Sequence, residues 1–177
     1  MLDALISSKT RVKLLLKFFL NSNTKAYLRS LETEFGESSN AIRLELNRFE
    51  EAGMLISSSE GNKKLFQANT QHPLFKELHN ILLKTFGLDS IIETVIKRLG
   101  EVRQVWLTGD LAKGLDAPIV DLIFVGNIDR VYLLNLTEKA EKLISRKIRY
   151  VIYSEEECAD GLKNVSPPPF LLWSCDV

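Results

Sequence analysis

The spacing of apolar residues changes near Pro73, the first proline of the 177-residue chain, and this change limits the possible folds most strongly. Before Pro73, apolar residues recur at helical spacing, as Val12, Leu15, Leu16 and Phe19 do. After it, strand-like apolar runs alternate with helical segments. Apolar residues make up 45% of the chain and charged residues 26%, so a core can form without disulfides or metals. The pattern predicts two domains, an α+β domain followed by an α/β domain.

The overall charge is balanced, with 23 Lys and Arg against 23 Asp and Glu. It therefore draws the protein neither to nucleic acid nor to a membrane surface. The two cysteines, Cys158 and Cys175, lack the spacing of metal ligands and suit a reducing compartment. The start of the chain lacks the pattern of a signal peptide, and every apolar run is far shorter than the about 18 residues of a membrane span. We expect a cytoplasmic protein with no membrane contact and no metal site.

The region before Pro73 follows the order helix, helix, turn, helix and hairpin. The run "KAYLRSLETEFG" predicts a short helix that ends at Gly36. Ser38 or Ser39 can cap the next helix, which ends at Gly53. The run "MLISSSEGNKKLFQANT" predicts two short strands around the turn "EGNK".

The run "LRSLETEFGESSNAIRLELNRFEEAGML", residues 28–55, resembles the winged helix-turn-helix of bacterial transcription regulators. The short helix, the tight turn, the longer helix and the exit after "FEEAG" match that family, although Phe49 stands where leucine is common. The resemblance covers about residues 9–70. It implies a DNA-binding winged helix domain over residues 1–70. The longer helix places Ile42, Leu46 and Phe49 on one face, which we expect to be buried.

The opposite face of the longer helix offers short polar groups near its N-terminus and one guanidinium a turn later. The candidate DNA-binding residues are Ser38, Ser39, Asn40, Arg43 and Asn47, with Lys63 and Lys64 at the hairpin tip. The free N–H groups at a helix start attract phosphate, and Arg43 suits a guanine edge or a phosphate. The two lysines suit backbone phosphates.

The charge of this region supports DNA binding only weakly. Residues 1–70 hold ten Lys and Arg against eight Asp and Glu, a net of +2. Glu45, Glu50 and Glu51 on the longer helix would repel DNA. If the surface does not bind DNA, the region is a protein–protein or dimerisation module.

Residues 71–100 predict a helical linker of two helices, one that starts at Pro73 and one from Asp89 to about Leu99. The first helix carries an apolar stripe of Leu74, Leu78, Ile81 and Leu82. This stripe is either a dimer seam or the face that packs against the second domain.

Residues 101–177 begin with the strand-like run "EVRQVWLTG", the turn "DLAKGLD" and a second strand-like run, "IVDLIFVG". A helix, the strand "RKIRYVIYS" and a short helix follow. Residues 88–160 resemble the minimal nucleotidyltransferase domain of the polymerase-beta-like superfamily. That family has a Gly-Ser turn, a second glycine, an Asp-x-Asp strand and a third acid on a later strand. The resemblance implies a small mixed sheet with helices.

The acids of that family matter because two carboxylates on one face of a strand hold the magnesium ions that bridge a triphosphate. In this chain Gly109 and Gly114 match the two glycines, and Lys113 stands where a basic residue is usual. Asp110 replaces the serine, and its charge would repel a triphosphate.

Asp121 matches the second acid of the pattern, but its partners do not match. Ile119 occupies the position of the first acid, and the third falls on Arg149, or on Tyr150 if the register shifts by one. Asp110 and Asp116 lie on a turn and lack the same-face geometry of a strand. Two missing ligands leave the developing charge uncompensated, so we predict no catalytic residues and no nucleotidyl transfer.

The surviving glycine turn suggests a pocket that binds a nucleotide or another anion without a metal. The candidate residues are Gly109, Asp110, Lys113, Gly114, Asp121 and Arg149. No cofactor is expected, and magnesium enters only if the domain is active.

Together these features predict a transcriptional regulator that binds double-stranded DNA as a homodimer. Its inactive nucleotidyltransferase-like domain would serve ligand sensing or dimerisation. One alternative is an active nucleotidyltransferase that docks its substrate on the winged helix. Another is a pure interaction protein.

Overall fold

A computed structural model describes residues 6–175. Residues 1–5, part of the segment with no signal-peptide pattern, and residues 176–177 of the predicted domain 101–177 lie outside the described residues. Within residues 6–175 the chain is a mixed α+β protein with two sheets. It divides into two compact units between Thr85 and Phe86. No helix within the described range combines the length and the apolar character that crossing a membrane requires.

The helices of the first unit are α1 (Lys9–Leu15), α2 (Leu28–Phe35), α3 (Ser39–Glu51) and α4 (Phe75–Phe86), which runs to the division. Ser8 caps α1, which continues as a π-helical turn over Leu16–Leu20. α2 ends at Gly36 in the left-handed conformation, with φ of 63°, as predicted. Ser38 caps α3, because its hydroxyl accepts a hydrogen bond from the Ala41 N–H at 3.3 Å.

The strands β1 (Ala26–Tyr27), β2 (Leu55–Glu60) and β3 (Lys63–Ala68) form an antiparallel sheet in the order β1-β3-β2. β2 and β3 are the predicted hairpin. The prediction that Ala26 and Tyr27 belong to a helix is wrong, since they pair with Phe66 and Leu65 of β3. A strand of two residues carries too little periodic signal to be recognised in the sequence.

The core of the first unit fixes the orientation of α3. Ile42, Leu46 and Phe49 are buried on one face of this helix, as predicted. α1 and α2 pack on α3, and the ring of Phe19 lies 6.2 Å from that of Phe49. Burying a side chain of this size stabilises the fold by about 1.5–3 kcal/mol. The opposite face of α3 is therefore held toward solvent.

The strands β4 (Val102–Thr108), β5 (Ile119–Gly126), β6 (Lys147–Tyr153) and β7 (Phe170–Ser174) form the sheet of the second unit in the order β6-β5-β4-β7. β5 and β6 are parallel, whereas β4 pairs antiparallel with both β5 and β7. The sheet is therefore mixed, as expected.

The helices of the second unit are α5 (Leu88–Ile91), α6 (Lys97–Leu99), α7 (Gly109–Lys113), α8 (Arg130–Ile144) and α9 (Glu155–Lys163). A π-helical segment, Ile92–Ile96, joins α5 to α6. α8 packs on this segment and on β6, and it buries Leu133 and Leu136. α7 connects β4 to β5, so it lies where the sequence predicts the glycine turn.

Candidate functional site

A groove of about 660 Å³ opens on the surface of the first unit, between α2, α3 and the β2–β3 hairpin. Its lining residues are Tyr27, Leu28, Arg29, Glu32, Ser39, Arg43, Leu46, Asn47, Asn62, Lys63, Lys64 and Phe66. The groove forms because the buried face of α3 turns its polar face toward the hairpin. It brings together residues from three parts of the chain.

The structure gathers most of the predicted DNA-binding residues in this groove. Those that line it are Ser39, Arg43, Asn47, Lys63 and Lys64. Ser39 also donates a hydrogen bond to Glu32 on α2. Ser38 is occupied as the cap of α3, and Asn40 is exposed on α3 but does not line the groove.

The sequence prediction missed Arg29 on α2 and Asn62 in the hairpin turn, which also line the groove. Arg29 is the second residue of α2, which follows β1 directly, and that short strand gave no sequence signal. The groove lining carries four cationic side chains and one anionic side chain within the described residues; they are Arg29, Arg43, Lys63 and Lys64 against Glu32. This local excess is larger than the net charge of residues 1–70 indicated.

The two hairpin lysines are held by aromatic rings. Lys63 Nζ lies 4.6 Å from the ring centroid of Tyr27, and Lys64 Nζ lies 5.1 Å from that of Phe66. Lys64 also donates a hydrogen bond to Glu50 at 2.7 Å. Hydrogen bonds from Lys64 and Ser57 lower the pKa of Glu50. Glu50 thus partly neutralises the cation that a phosphate would contact.

Glu45, which the sequence suggested would repel DNA, is buried, with 5% of its surface exposed. Its carboxylate accepts hydrogen bonds from Arg11 Nε at 2.8 Å, from Ser8 at 3.0 Å and from Arg48 at 3.3 Å. Burial raises the pKa of Glu45, but the hydrogen bonds from Arg11 and Ser8, with the charges of Arg11 and Arg48, lower it overall. Glu45 is therefore a structural group that ties α1 to α3.

A smaller cleft of about 260 Å³ lies in the second unit, at the end of β4. Its lining residues are Thr108, Gly109, Asp121, Leu122, Ile123, Arg149, Tyr150, Val151, Tyr153, Val165 and Ser166. The predicted anion-binding residues Gly109, Asp121 and Arg149 meet here. Asp110 and Lys113 form an ion pair with each other at 3.1 Å and do not line the cleft.

Gly114 is also outside the cleft lining, where it ends α7 in the left-handed conformation. Gly109 has a different role, because it allows a close approach of backbone and side chain. Its φ is 71°, and a Cβ at this position would overlap the carboxylate of Asp121 and lie 2.9 Å from its Cγ. The glycine is therefore required for Asp121 to lie against the start of α7.

The parallel pairing of β5 and β6 places Arg149 directly opposite Asp121. Arg149 Nε donates a hydrogen bond to Asp121 Oδ1, and this bond and the carboxylate charge raise the pKa of Arg149. The alternative position, Tyr150, pairs with Leu122 and packs its ring edge-on to Phe124. Arg149, and not Tyr150, is thus the residue that lies opposite Asp121 in the sheet.

The donor set of the cleft does not fit magnesium. Asp121 is already paired with a guanidinium, and Ile119, two residues earlier on the same face of β5, has no oxygen in its side chain. Asp116 pairs with Arg146 at 2.8 Å. Within residues 6–175 no cluster of three or more His, Cys, Asp or Glu residues has a geometry that could hold a metal ion.

No model of a known protein family matches the chain, and no curated protein matches it. Among solved structures, the chain is similar to a provisionally assigned nucleotidyltransferase from Sulfolobus solfataricus, with 19% sequence identity and a TM-score of 0.39 over 54% of this chain and 84% of that chain. It is also similar to a protein from Archaeoglobus fulgidus, with 18% identity and a TM-score of 0.37 over 55% of this chain and 98% of that chain.

Proposed function

We propose that the first unit is a winged helix-turn-helix module that binds double-stranded DNA, and that the chain is a transcriptional regulator. The observation that carries this proposal is the groove, where Arg29 of α2, Arg43 of α3 and the hairpin lysines converge. A surface with this excess of cations attracts the phosphate backbone. A DNA-binding role implies a location where DNA is present, which agrees with the expected cytoplasmic location.

The polar face of α3 supplies the groups that read bases in this proposal. Arg43 and Asn47 are exposed one turn apart and both line the groove. A guanidinium can donate two hydrogen bonds to guanine, and an amide can pair with adenine. Leu44, which is 52% exposed beside Arg43, offers an apolar contact for a thymine methyl group. The hairpin lysines contact phosphates and set the register.

The second unit is, in this proposal, a nucleotidyltransferase-like domain without transfer activity. The order strand, short helix, antiparallel strand, helix and parallel strand supports the likeness to that fold. The pairing of Asp121 with Arg149 supports the loss of activity, because a positive charge stands where the family has an acid. The domain then serves to sense an anionic ligand or to dimerise the regulator.

A binding experiment with selected DNA tests the first part of the proposal. Double-stranded DNA is selected from a random pool by the purified protein, and affinity is measured by fluorescence anisotropy. Arg43→Ala should weaken binding to the selected site by about 1–3 kcal/mol, roughly 5- to 150-fold. Lys139→Ala, which removes an exposed cation from the second unit, is the matched control and should leave the affinity unchanged.

Two results would contradict DNA binding. A pool that yields no enriched sequence at any salt concentration would favour a pure interaction protein. Equal effects of Arg43→Ala and Lys139→Ala would show that binding does not use the groove.

The rival function is an active nucleotidyltransferase, and the observation in its favour is that Gly109 and Asp121 meet in one cleft. Incorporation of labelled nucleotide with magnesium or manganese tests it. Robust incorporation that Asp121→Ala abolishes would establish this function. The inactive-domain proposal predicts no incorporation.

A further inference from the structure

One face of α4, extended by Leu74 just before the helix, is partly exposed although three of its four residues are apolar. Leu74 is 54% exposed and Ile81 is 42% exposed, while Leu78 and Thr85 are half-buried. Leu74 belongs to the helical row because the Leu78 N–H donates to its carbonyl at 3.0 Å. Steps of four, three and four residues place these four side chains, here called the α4 stripe, in one line along the helix.

The adjacent face of α4 anchors the helix to its unit. The ring of Phe75 lies 5.8 Å from that of Phe19 and stacks on His79 at 6.1 Å. His79 Nδ1 lies 2.8 Å from the carbonyl oxygen of Phe19. Leu82, which the sequence analysis placed in the same apolar stripe as Leu74, Leu78 and Ile81, is buried and only 2% exposed. The rotation of α4 is thereby fixed, and the α4 stripe faces outward.

Two opposite charges flank the α4 stripe on one side. Glu77 directly precedes Leu78, and Lys84 directly precedes Thr85. Both side chains are exposed, and neither forms an ion pair with any residue in the part of the chain that the structure describes. Each charge is therefore available to a partner that packs on the stripe.

We infer that the partner is the α4 helix of a second copy of this chain, packed antiparallel across a two-fold axis. In this arrangement Leu78 faces Ile81 of the second copy, and Leu74 faces Thr85 of the second copy. Glu77 then lies on the same side of the helix pair as Lys84 of the second copy. The two-fold axis repeats every contact, so two attractive ion pairs flank the apolar seam.

The charges select this arrangement over a parallel one. Parallel helices would place Glu77 beside Leu82 of the second copy, which is buried in its own unit and carries no charge. α4 has 12 residues, which gives a seam of about 18 Å. A contact of this size belongs to the small, transient class, so we expect a dissociation constant roughly in the micromolar range.

The α4 seam would be the contact surface of the homodimeric regulator. Its role in DNA binding rests on the proposed function, whereas the dimer itself does not. Two copies joined at α4 would present two grooves to two half-sites on DNA. Occupancy of one half-site would then raise the effective concentration of the second groove.

Sedimentation velocity of the full chain without DNA, over a wide range of protein concentration, tests the seam. The wild-type protein should form a reversible dimer. Glu77→Lys or Lys84→Glu turns both attractive pairs into repulsive ones, so each should weaken the dimer by roughly tenfold or more. An equimolar mixture of these two variants should regain the wild-type affinity, because opposite charges again face each other in both pairs.

Lys76→Glu is the matched control, since it makes the same charge change as Lys84→Glu at an exposed position away from the stripe. It should leave the dimer unchanged, and circular dichroism should show equal helix content in all variants. A protein that stays monomeric at every concentration overturns the inference, as does a mixture that fails to recover. Failure of DNA binding would leave this result untouched, because the dimer is measured without DNA.

Discussion

The groove of the first unit and the cleft of the second both contain arginine, but the arginine charge is neutralised by a paired carboxylate only in the cleft. In the groove, Arg29 and Arg43 lie with two lysines around one carboxylate, and the sum is positive. In the cleft, Arg149 is hydrogen-bonded to Asp121, the residue directly opposite it in the sheet. The first surface has charge to offer to a polyanion, whereas the second has largely neutralised its own.

The contrast shows that net charge counted along a sequence is a poor guide to a binding surface. The net charge of +2 for residues 1–70 includes Glu45, which is buried in contact with Arg11. The groove is cationic because the fold buries some charges and brings others together at the surface. In the second unit the fold pairs the carboxylate of Asp121 with the guanidinium of Arg149. Substitutions in the two units test whether the placement of these charges and of the residues around them governs stability and binding.

The largest expected effect comes from the glycine that holds the cleft together. Gly109→Ala should lower the free energy of unfolding by about 3 kcal/mol, because the new methyl group adds steric overlap with Asp121 to the cost of a positive φ. Tryptophan fluorescence reports unfolding of the second unit specifically, since both tryptophans, Trp106 and Trp173, lie in it.

Gly36→Ala is the matched control in the first unit. Its φ is 63° and no atom lies within 4 Å of the added Cβ, so only the conformational cost of about 1 kcal/mol should appear. Circular dichroism reports the helices of both units, and because neither tryptophan lies in the first unit, a loss of dichroism without a change in tryptophan fluorescence reports unfolding of the first unit. Equal effects of the two substitutions would show that Asp121 does not depend on the close approach at Gly109.

The next largest effect is expected for the buried carboxylate of Glu45. Glu45→Gln should lower the free energy of unfolding by about 2 kcal/mol at neutral pH, because it removes charged hydrogen bonds to Arg11 and Arg48. The folded-state pKa of Glu45 lies below the ordinary value of 4.5. Its contribution is therefore present above that pH and is lost as the pH falls through the folded-state pKa.

Urea unfolding at several pH values, followed by circular dichroism, measures this effect. The gap between wild type and Glu45→Gln should close in acid. Glu51→Gln, at an exposed position on the same helix, should change stability by less than about 0.5 kcal/mol. A constant gap at all pH values would contradict the role assigned to the ionised carboxylate.

A smaller effect is expected on anion binding in the cleft. Asp121→Asn frees Arg149 and removes a negative charge, so metal-free affinity for nucleoside triphosphates should rise by about 1 kcal/mol, roughly fivefold. Isothermal titration with a panel of nucleotides, with and without magnesium, measures it. If Asp121→Asn instead abolishes a magnesium-dependent affinity, the cleft is a metal site. The contrast between a cationic groove and a cleft whose charges neutralise each other would then be wrong. If no nucleotide of the panel binds, the second unit does not sense nucleotides.

The smallest expected effect is on the groove itself. Glu50→Gln releases Lys64 from its ion pair and should raise DNA affinity by roughly threefold at low salt. Glu156→Gln makes the same charge change at an exposed site in the second unit and should have no effect. Anisotropy with one DNA duplex at one salt concentration compares them. A loss of affinity in Glu50→Gln would show that the ion pair positions Lys64 for binding.

Much of this architecture could be predicted from the sequence, because periodic apolar runs and glycine stops define long elements. The predicted α3 face and the predicted hairpin are both confirmed. β1 and the π-helical turn Leu16–Leu20 could not be predicted, since neither leaves a pattern of its own. Arg29, which lines the groove, lies in the first turn of α2 directly after β1, so it was missed together with that strand.

The contacts within the candidate sites were even harder to predict from the sequence. The sequence alone did not show whether Arg149 or Tyr150 lies beside Asp121, and the pairing of β5 with β6 places Arg149 opposite it. The burial of Glu45 depends on Arg11, which lies 34 residues earlier in the chain. Contacts of this range follow from packing and cannot be read from local spacing.

The salt dependence of DNA affinity shows whether the cationic groove contacts the phosphate backbone. Wild-type protein is titrated against a random-sequence duplex at several salt concentrations. If the four groove cations neutralise phosphates, the logarithm of the affinity should fall with the logarithm of the salt concentration with a slope of about −3 to −4. Replacing Lys63 and Lys64 together by alanine should reduce that slope by about 2. Binding that ignores salt, or no binding even at low salt, would contradict the account.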